Sequence, residues 1–300
     1  QKLQAMVEHC ASVFDQILVD DFFFTDCKCA DCDAARASKI ATVADARFAV
    51  DDDSWPKYRS ELLQQVLLRR MIVPAQAVNP RAQITLKYSQ RYDSLHSLGS
   101  DLSRQIPVLP RVVLGTETRD IDKGGGPPYH AYFGMRWLEG LAGRKSGGGW
   151  YDWLQTTPQT FVEQGRQAVL AGAKESMLCC YGGLIHDKVS MPCCYDGVKE
   201  NTGPENTLAI RRAIPELLKV SQEVQRRRAI GLAAYFNPAG SGRGDHAIFD
   251  SVGTLGIPLV PCHQFPQEAP AAFFSMHILA EPDWRNKLLA FVATGRPVLM

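Results

Sequence analysis

In this 300-residue chain the residues best suited to chemistry are a few carboxyl groups, a tight cluster of thiols and several aromatic rings. Asp20 and Asp21 close the apolar run Gln16-Ile17-Leu18-Val19. Glu117 and Arg119 lie in Thr116-Glu117-Thr118-Arg119-Asp120, and Asp152 stands between Tyr151 and Trp153. A carboxyl group at a strand end can move a proton or attack an electrophilic carbon, and a second one opposite it completes acid–base or covalent catalysis. A guanidinium beside Glu117 would hold that carboxylate ionised. Each group also has a plainer reading: a solvated turn for Asp20 and Asp21, an ion pair for Glu117 and Arg119, the cap of a loop before Thr157 for Asp152.

Cys27-x-Cys29-x-x-Cys32 places three thiols within six residues, beside Asp26 and Lys28. Such a set can converge on one tetrahedral zinc, and an all-thiolate set is typical of structural sites. The fourth ligand would be Cys10 or a residue upstream of Gln1; unligated loop cysteines are the alternative. Trp150, Tyr151, Trp153 and Tyr181 fall at or just past predicted strand ends, where flat rings can stack on sugar faces, as do Phe22, Phe23 and Phe24. His186 and the Cys193-Cys194 pair read as part of a loop after the last of these strands. Cys262, His263 and His277 read as packing residues.

These groups need elements to position them. Apolar spacing predicts a helix over 3–14, a strand from Gln16 to Phe24 and a helix from Ser54 to Asn79-Pro80. The alternation then repeats. Strand Gln83–Tyr88 precedes a short helical stretch near 90–104, strand Arg111–Glu117 the helix Tyr129–Leu141, and strand Gly147–Tyr151 a helix with Pro158 at its first position. Strand Ser176–Tyr181 has its return helix at Glu205–Arg227. Strand-then-helix units in series require parallel strands with helical crossovers. An open doubly wound sheet and the later part of an eight-fold barrel both satisfy that count. No strand is followed by a dinucleotide-binding Gly-x-Gly-x-x-Gly turn, so the glycine runs 124–126 and 147–149 read as loops or close-approach positions.

From Ala229 a second α/β grammar begins, with strands at Ile230–Phe236, Ile257–Val260 and Phe273–Ile278 and helices at His246–Leu255 and Pro282–Thr294. The expected boundary is at residue 228, where Arg226-Arg227-Arg228 reads as a solvated helix end. Composition removes other classes. Thirty-three basic against 32 acidic residues, a net charge of +1, offer no field for nucleic acid. No apolar stretch approaches the roughly 18–20 residues of a membrane span. Nine cysteines do not resemble a disulfide framework and favour a reducing, cytoplasmic compartment, while a chain that begins inside a helix at Gln1 neither shows nor excludes a signal peptide and leaves secretion open. No motif calls for an organic cofactor.

The acidic strand end followed by the cysteine cluster, the segment Gln167-Ala168-Val169-Leu170-Ala171-Gly172-Ala173, and the later segments Leu255-Gly256-Ile257-Pro258-Leu259-Val260 and Leu289 to Val298 come in an order that resembles a microbial β-galactosidase family. That family carries a zinc-cysteine cluster and a C-terminal trimerisation domain. The resemblance implies a (β/α)8 TIM barrel whose first strands are absent, with residues 1–228 as strands four to eight, followed by a truncated flavodoxin-like domain over 229–300. It further implies a glycosidase, a carbohydrate substrate, a structural zinc on Cys27, Cys29 and Cys32, and a homotrimer. Ser176–Tyr181 counts as the eighth strand, so the family's acid/base and nucleophile positions fall on Asp21, after Asp20 in place of Asn, and on Asp152; Glu117 is the competing nucleophile. Arg119, Asp20, Trp150, Tyr151, Trp153 and Tyr181 would contact substrate. Glycoside hydrolysis separates its two carboxyl groups by about 5–5.5 Å for retention and roughly 6.5–9.5 Å for inversion, and the shorter aspartates would widen the gap. A non-hydrolytic sugar-binding barrel that has lost its glutamates is the alternative.

Overall fold

The computed structural model describes residues 2–20, 29–43, 46–49, 55–120, 122, 125–179, 203–239 and 248–300. Asp21, Cys27, Tyr181, His186, Cys193 and Cys194 lie outside the described residues, as do Phe22, Phe23 and Phe24. The rest fall into two compact units. One runs to Val112 and includes Pro238; the other holds Val113 to Asn237 and Ile248 to Met300.

In the first unit the helix Lys2–Val13 leads into β1, Gln16–Val19. The helix Ala30–Ala37 and the antiparallel pair β2, Ile40–Val43, and β3, Ala46–Ala49, follow. That hairpin has no counterpart in the sequence reading. The helix expected to Asn79 starts at Trp55, passes through a π-helical turn at Leu67–Ile72, and ends where Asn79 turns extended. Its Leu67 and Met71 are fully buried. β4, Gln83–Tyr88, pairs in parallel with β1, Leu18 opposite Thr85 and Val19 opposite Leu86. Successive side chains on a strand point to opposite faces. Ile84, Leu86 and Tyr88 share one face, and the Tyr88 hydroxyl donates to Gln105 Oε1 at 3.0 Å on the helix Leu102–Val108. Thr85 and Lys87 therefore take the other face.

The second unit opens within β5, Arg111–Gly115, which neighbours β6, Ser146–Asp152; β6 in turn pairs in parallel with β7, Glu175–Cys179. The helix Pro158–Leu170 between β6 and β7 starts as the sequence requires: Pro158 occupies its first turn, and Thr157 Oγ1 accepts from the Thr160 amide at 3.2 Å. Tyr151, Trp153, Phe161, Ile210 and Leu217 form a buried cluster under this helix and the helix Gly203–Gln225. A Cβ on Gly148 would stand 1.8 Å from the Glu175 carbonyl oxygen, so glycine is what lets β6 lie this close to β7. The close-approach reading of this glycine run is the one the packing supports.

A separate four-stranded sheet completes the unit: β8, Leu232–Tyr235; β9, Leu259–Cys262; β10, Ala272–Phe274; and β11, Val298–Leu299. Its order is β9-β8-β10-β11, all parallel. The strand expected over Phe273–Ile278 is shorter, because a 3-10 turn takes Met276–Ala280. The sheet's core gathers Tyr235, Phe274, Ile278 and Phe291. The helix Tyr129–Ala142 packs against this sheet: the Trp137 indole donates to the Phe236 carbonyl at 3.3 Å, and Phe133 stacks on Phe249 with centroids 4.4 Å apart. No helix among the described residues is long and apolar enough to cross a membrane.

Candidate active site

In the second unit the loop after β5 and the end of β6 bring predicted site residues together. The Thr116 amide donates to the Trp150 carbonyl at 2.6 Å, which continues the strand pairing to the ends of both segments. Alternation then separates the side chains of β6. Tyr151 faces the helices with Phe161, while Trp150 and Asp152 take the opposite face. Trp150 is partly exposed there.

Asp152 is 4% exposed and its carboxylate accepts three hydrogen bonds. Its Oδ2 accepts from Arg119 Nη2 at 2.8 Å and its Oδ1 from Arg119 Nε at 3.4 Å, a two-pronged fit of guanidinium to carboxylate. The Leu154 amide adds a third bond to Oδ1 at 3.0 Å. The turn beyond is fixed in its own right: Gln164 donates to the Asp152 carbonyl at 3.2 Å, and Asn206 to Thr156 Oγ1 at 2.9 Å. Asp152 thus serves as the seat of Arg119 and as a turn cap together.

Arg119 has φ +51°, a left-handed backbone that a side chain adopts at a cost of about 1–2 kcal/mol. The loop behind it explains how this is sustained. The Gly126 amide donates to the Thr118 carbonyl at 2.8 Å and the Gly125 amide to the Asp120 carbonyl at 2.9 Å. A Cβ on Gly125 would fall 2.3 Å from the Thr118 carbonyl oxygen and 2.7 Å from Arg119. The Asp120 amide reaches the Gln155 carbonyl at 3.0 Å, and Thr160 Oγ1 donates to Asp120 Oδ1. Glu117, two residues before Arg119, is 7% exposed. Glu117, Arg119, Trp150 and Asp152 are therefore the predicted residues that these two strand ends carry.

Tyr151 and Trp153, expected to contact substrate, are 1% and 2% exposed in the helix-side core. The period of two decides this for Tyr151, and burial pushes its hydroxyl above the ordinary tyrosine range, with a bond to Ser176 working the other way.

In the first unit Asp20 follows β1, and its Oδ1 lies 3.3 Å from Lys87 Nζ. The Lys87 side chain is only 2% exposed, against 49% for Asp20. Lys87 was not among the expected site residues. The signal was present: a lone lysine in Ile84-Thr85-Leu86-Lys87-Tyr88, on the face opposite the apolar positions.

Cys29 is the N-cap of the helix Ala30–Ala37 and Cys32 sits in its first turn. Spacing of three residues puts two thiols on one side of a helix start. That donor pair fits a thiolate-bound zinc. Among the described residues no group of three or more His, Cys, Asp or Glu is poised to hold a metal, and Cys27 is not among them.

Parallel strands with helical crossovers and a carboxylate–guanidinium cluster at strand ends define an α/β protein of the kind that holds catalytic groups on strand-end loops. The chain belongs to the family described as a probable glycosyl hydrolase, catalytic domain, whose model matches residues 1–200. An uncharacterised protein of Saccharolobus solfataricus is 26% identical over 160 residues, 51% of this chain and 26% of that protein. The crystal structure of a β-galactosidase from Rahnella sp. R3 is similar in fold, with a TM-score of 0.54 and 13% identity, over 91% of this chain and 49% of that one. The chain thus spans about a quarter and about half of these two proteins.

Proposed function

We propose that the protein is a glycoside hydrolase acting on a small saccharide or β-glycoside, with Glu117 as the reacting carboxylate. Family membership and the likeness of fold support the class. The observation that carries the assignment is the clamp of Asp152 on Arg119. The clamp fixes Arg119 two residues from Glu117, so one short segment at the end of β5 presents an oriented guanidinium and a largely buried carboxyl group together. Arg119 then offers hydrogen-bond donors to sugar hydroxyls, and Trp150 offers a ring face. Asp21 is the proposed proton donor. β-Galactosides are the substrates to try first, given the Rahnella enzyme.

In the same reading residues 1–228 are the later strands of a (β/α)8 barrel, and 229–300 begin a flavodoxin-like domain of the trimerising kind. In chain order the small sheet runs 2-1-3-4, which matches the start of the flavodoxin-like order. Cys27, Cys29 and Cys32 are proposed to hold a structural zinc that braces their loop, which metal analysis of Cys32→Ser against the native chain tests.

The deciding experiment is turnover of aryl β-glycosides. Glu117→Gln should lose about 10²–10⁴-fold in kcat. Full activity in that variant rejects the assignment. The engagement of Asp152 by Arg119 also favours a second reading, a sugar-binding barrel without hydrolysis. Saturable quenching of tryptophan fluorescence by sugars, with no turnover of any glycoside, would select it.

A further inference from the structure

The second unit has a groove of about 580 Å³ between the helices Tyr129–Ala142, Pro158–Leu170 and Gly203–Gln225 and the segment that follows the last of them. It lies at the opposite end of the strands from Glu117 and Asp152. Leu170 is the last residue of its helix, the Lys174 amide bonds the Gly147 carbonyl at 3.0 Å where β6 begins, and Gln225 donates to the Gly172 carbonyl at 2.9 Å. β6 has seven residues at about 3.3 Å each, so some 20 Å separates the groove from Asp152.

Its floor is aliphatic. Val220 and Val224 line it, Leu170 is 44% exposed there and Ile230 is 84% exposed. Charges stand at its rim, and most cancel. Arg136 pairs with Glu139 at 2.7 Å, and Glu223 is met by Arg226 at 3.7 Å and Arg227 at 2.9 Å. Lys219 and Arg228 remain. Both are exposed, and neither has an acidic partner within 4.0 Å among the described residues. A helix end attracts cations to its carbonyls, which accounts for Arg228 alone; Lys219 sits within the helix, six residues before its last residue.

An apolar floor under two uncompensated cations selects an occupant with an apolar body and one or two negative charges. Size separates a small molecule from a protein. Eleven residues line the groove, whereas a stable protein partner engages roughly 20–30 residues a side. Its volume falls within the roughly 300–1,000 Å³ of small-ligand sites. We propose that this groove is a second binding site, separate from the strand-end cluster, for a small amphipathic anion such as an aromatic or aliphatic carboxylate, sulfonate or phosphate ester.

The probe is 1-anilinonaphthalene-8-sulfonate, with the neutral N-phenyl-1-naphthylamine as its uncharged counterpart, followed by fluorescence and by calorimetry on the whole chain. The expected result is one saturable site per chain for the anion, weakened at least about tenfold by Lys219→Gln/Arg228→Gln and by Ile230→Asp. Raising the salt concentration should weaken it as well, since exposed charges are screened. All three positions are exposed, so the melting temperature should stay within a degree or two of the native value. The proposal is overturned by unchanged affinity in the double glutamine variant, by equal binding of the neutral probe, or by the absence of a one-to-one saturable site.

Discussion

Each unit carries a cation–carboxylate pair at the C-terminal end of its parallel strands, and the two pairs are built differently. Arg119 and Asp152 meet through two nitrogen–oxygen contacts, with side chains 17% and 6% exposed. Lys87 and Asp20 approach to 3.3 Å, with the lysine buried and the aspartate half in water. A planar fork fixes orientation as well as charge, while an ammonium is a point charge on a flexible stem. The first pair therefore defines a geometry, reinforced by a strained backbone and a glycine that admits no side chain. The second neutralises a buried charge and leaves its carboxylate in reach of solvent. A guanidinium is oriented by the first kind of contact; the second leaves the ammonium's orientation open.

Breaking the fork should have the largest effect. Asp152→Ala leaves a largely buried guanidinium without its carboxylate, and one-sided removal of a buried pair costs about 3–5 kcal/mol. Urea unfolding should report that loss as a lower midpoint. The double variant Arg119→Met/Asp152→Leu, which removes both charges, should be more stable than Asp152→Ala. Equal losses in the two would show that the turn around Leu154, not the ion pair, is what Asp152 secures.

Gly125→Ala comes next. The added Cβ meets backbone at 2.3 Å, not the end of a flexible side chain, so the loop or the Thr118–Arg119 segment has to move. Overpacking of this kind costs about 1–3 kcal/mol. Because Arg119 would be displaced, the reading under test also expects weaker substrate binding, with KM rising more than kcat falls. A variant as stable as the native chain would show that the loop does not buttress Arg119.

Chain order is largely legible in the sequence: strand and helix alternate where the apolar period says so, and Thr157-Pro158 starts its helix as a cap should. What escaped depends on partners distant in sequence or on a choice of face. The Arg119–Asp152 fork joins residues 33 apart, and nothing local to either announces it. Tyr151 reads as a sugar platform because it falls at a strand end, but adjacent residues of a strand face opposite ways, and Trp150 takes the side of the carboxylate. The β2–β3 hairpin was missed because Ile-Ala-Thr-Val and Ala-Arg-Phe-Ala alternate too weakly over four residues each. The π-helical turn at Leu67–Ile72 has no compositional signature.

The smallest effect is expected at Lys87, and it sharpens the contrast most. Lys87→Met keeps the stem's volume and removes the buried ammonium. The aspartate left behind is 49% exposed, so water can solvate it. The large cost of one-sided removal comes from the charge left buried, and a half-exposed carboxylate does not meet that condition. The expected change in urea unfolding free energy is therefore within about 1 kcal/mol of zero, several-fold smaller than for Asp152→Ala. A loss of the same size as at Asp152 would mean that Lys87 positions Asp20 as firmly as Asp152 positions Arg119, and the two pairs would then be one kind of device.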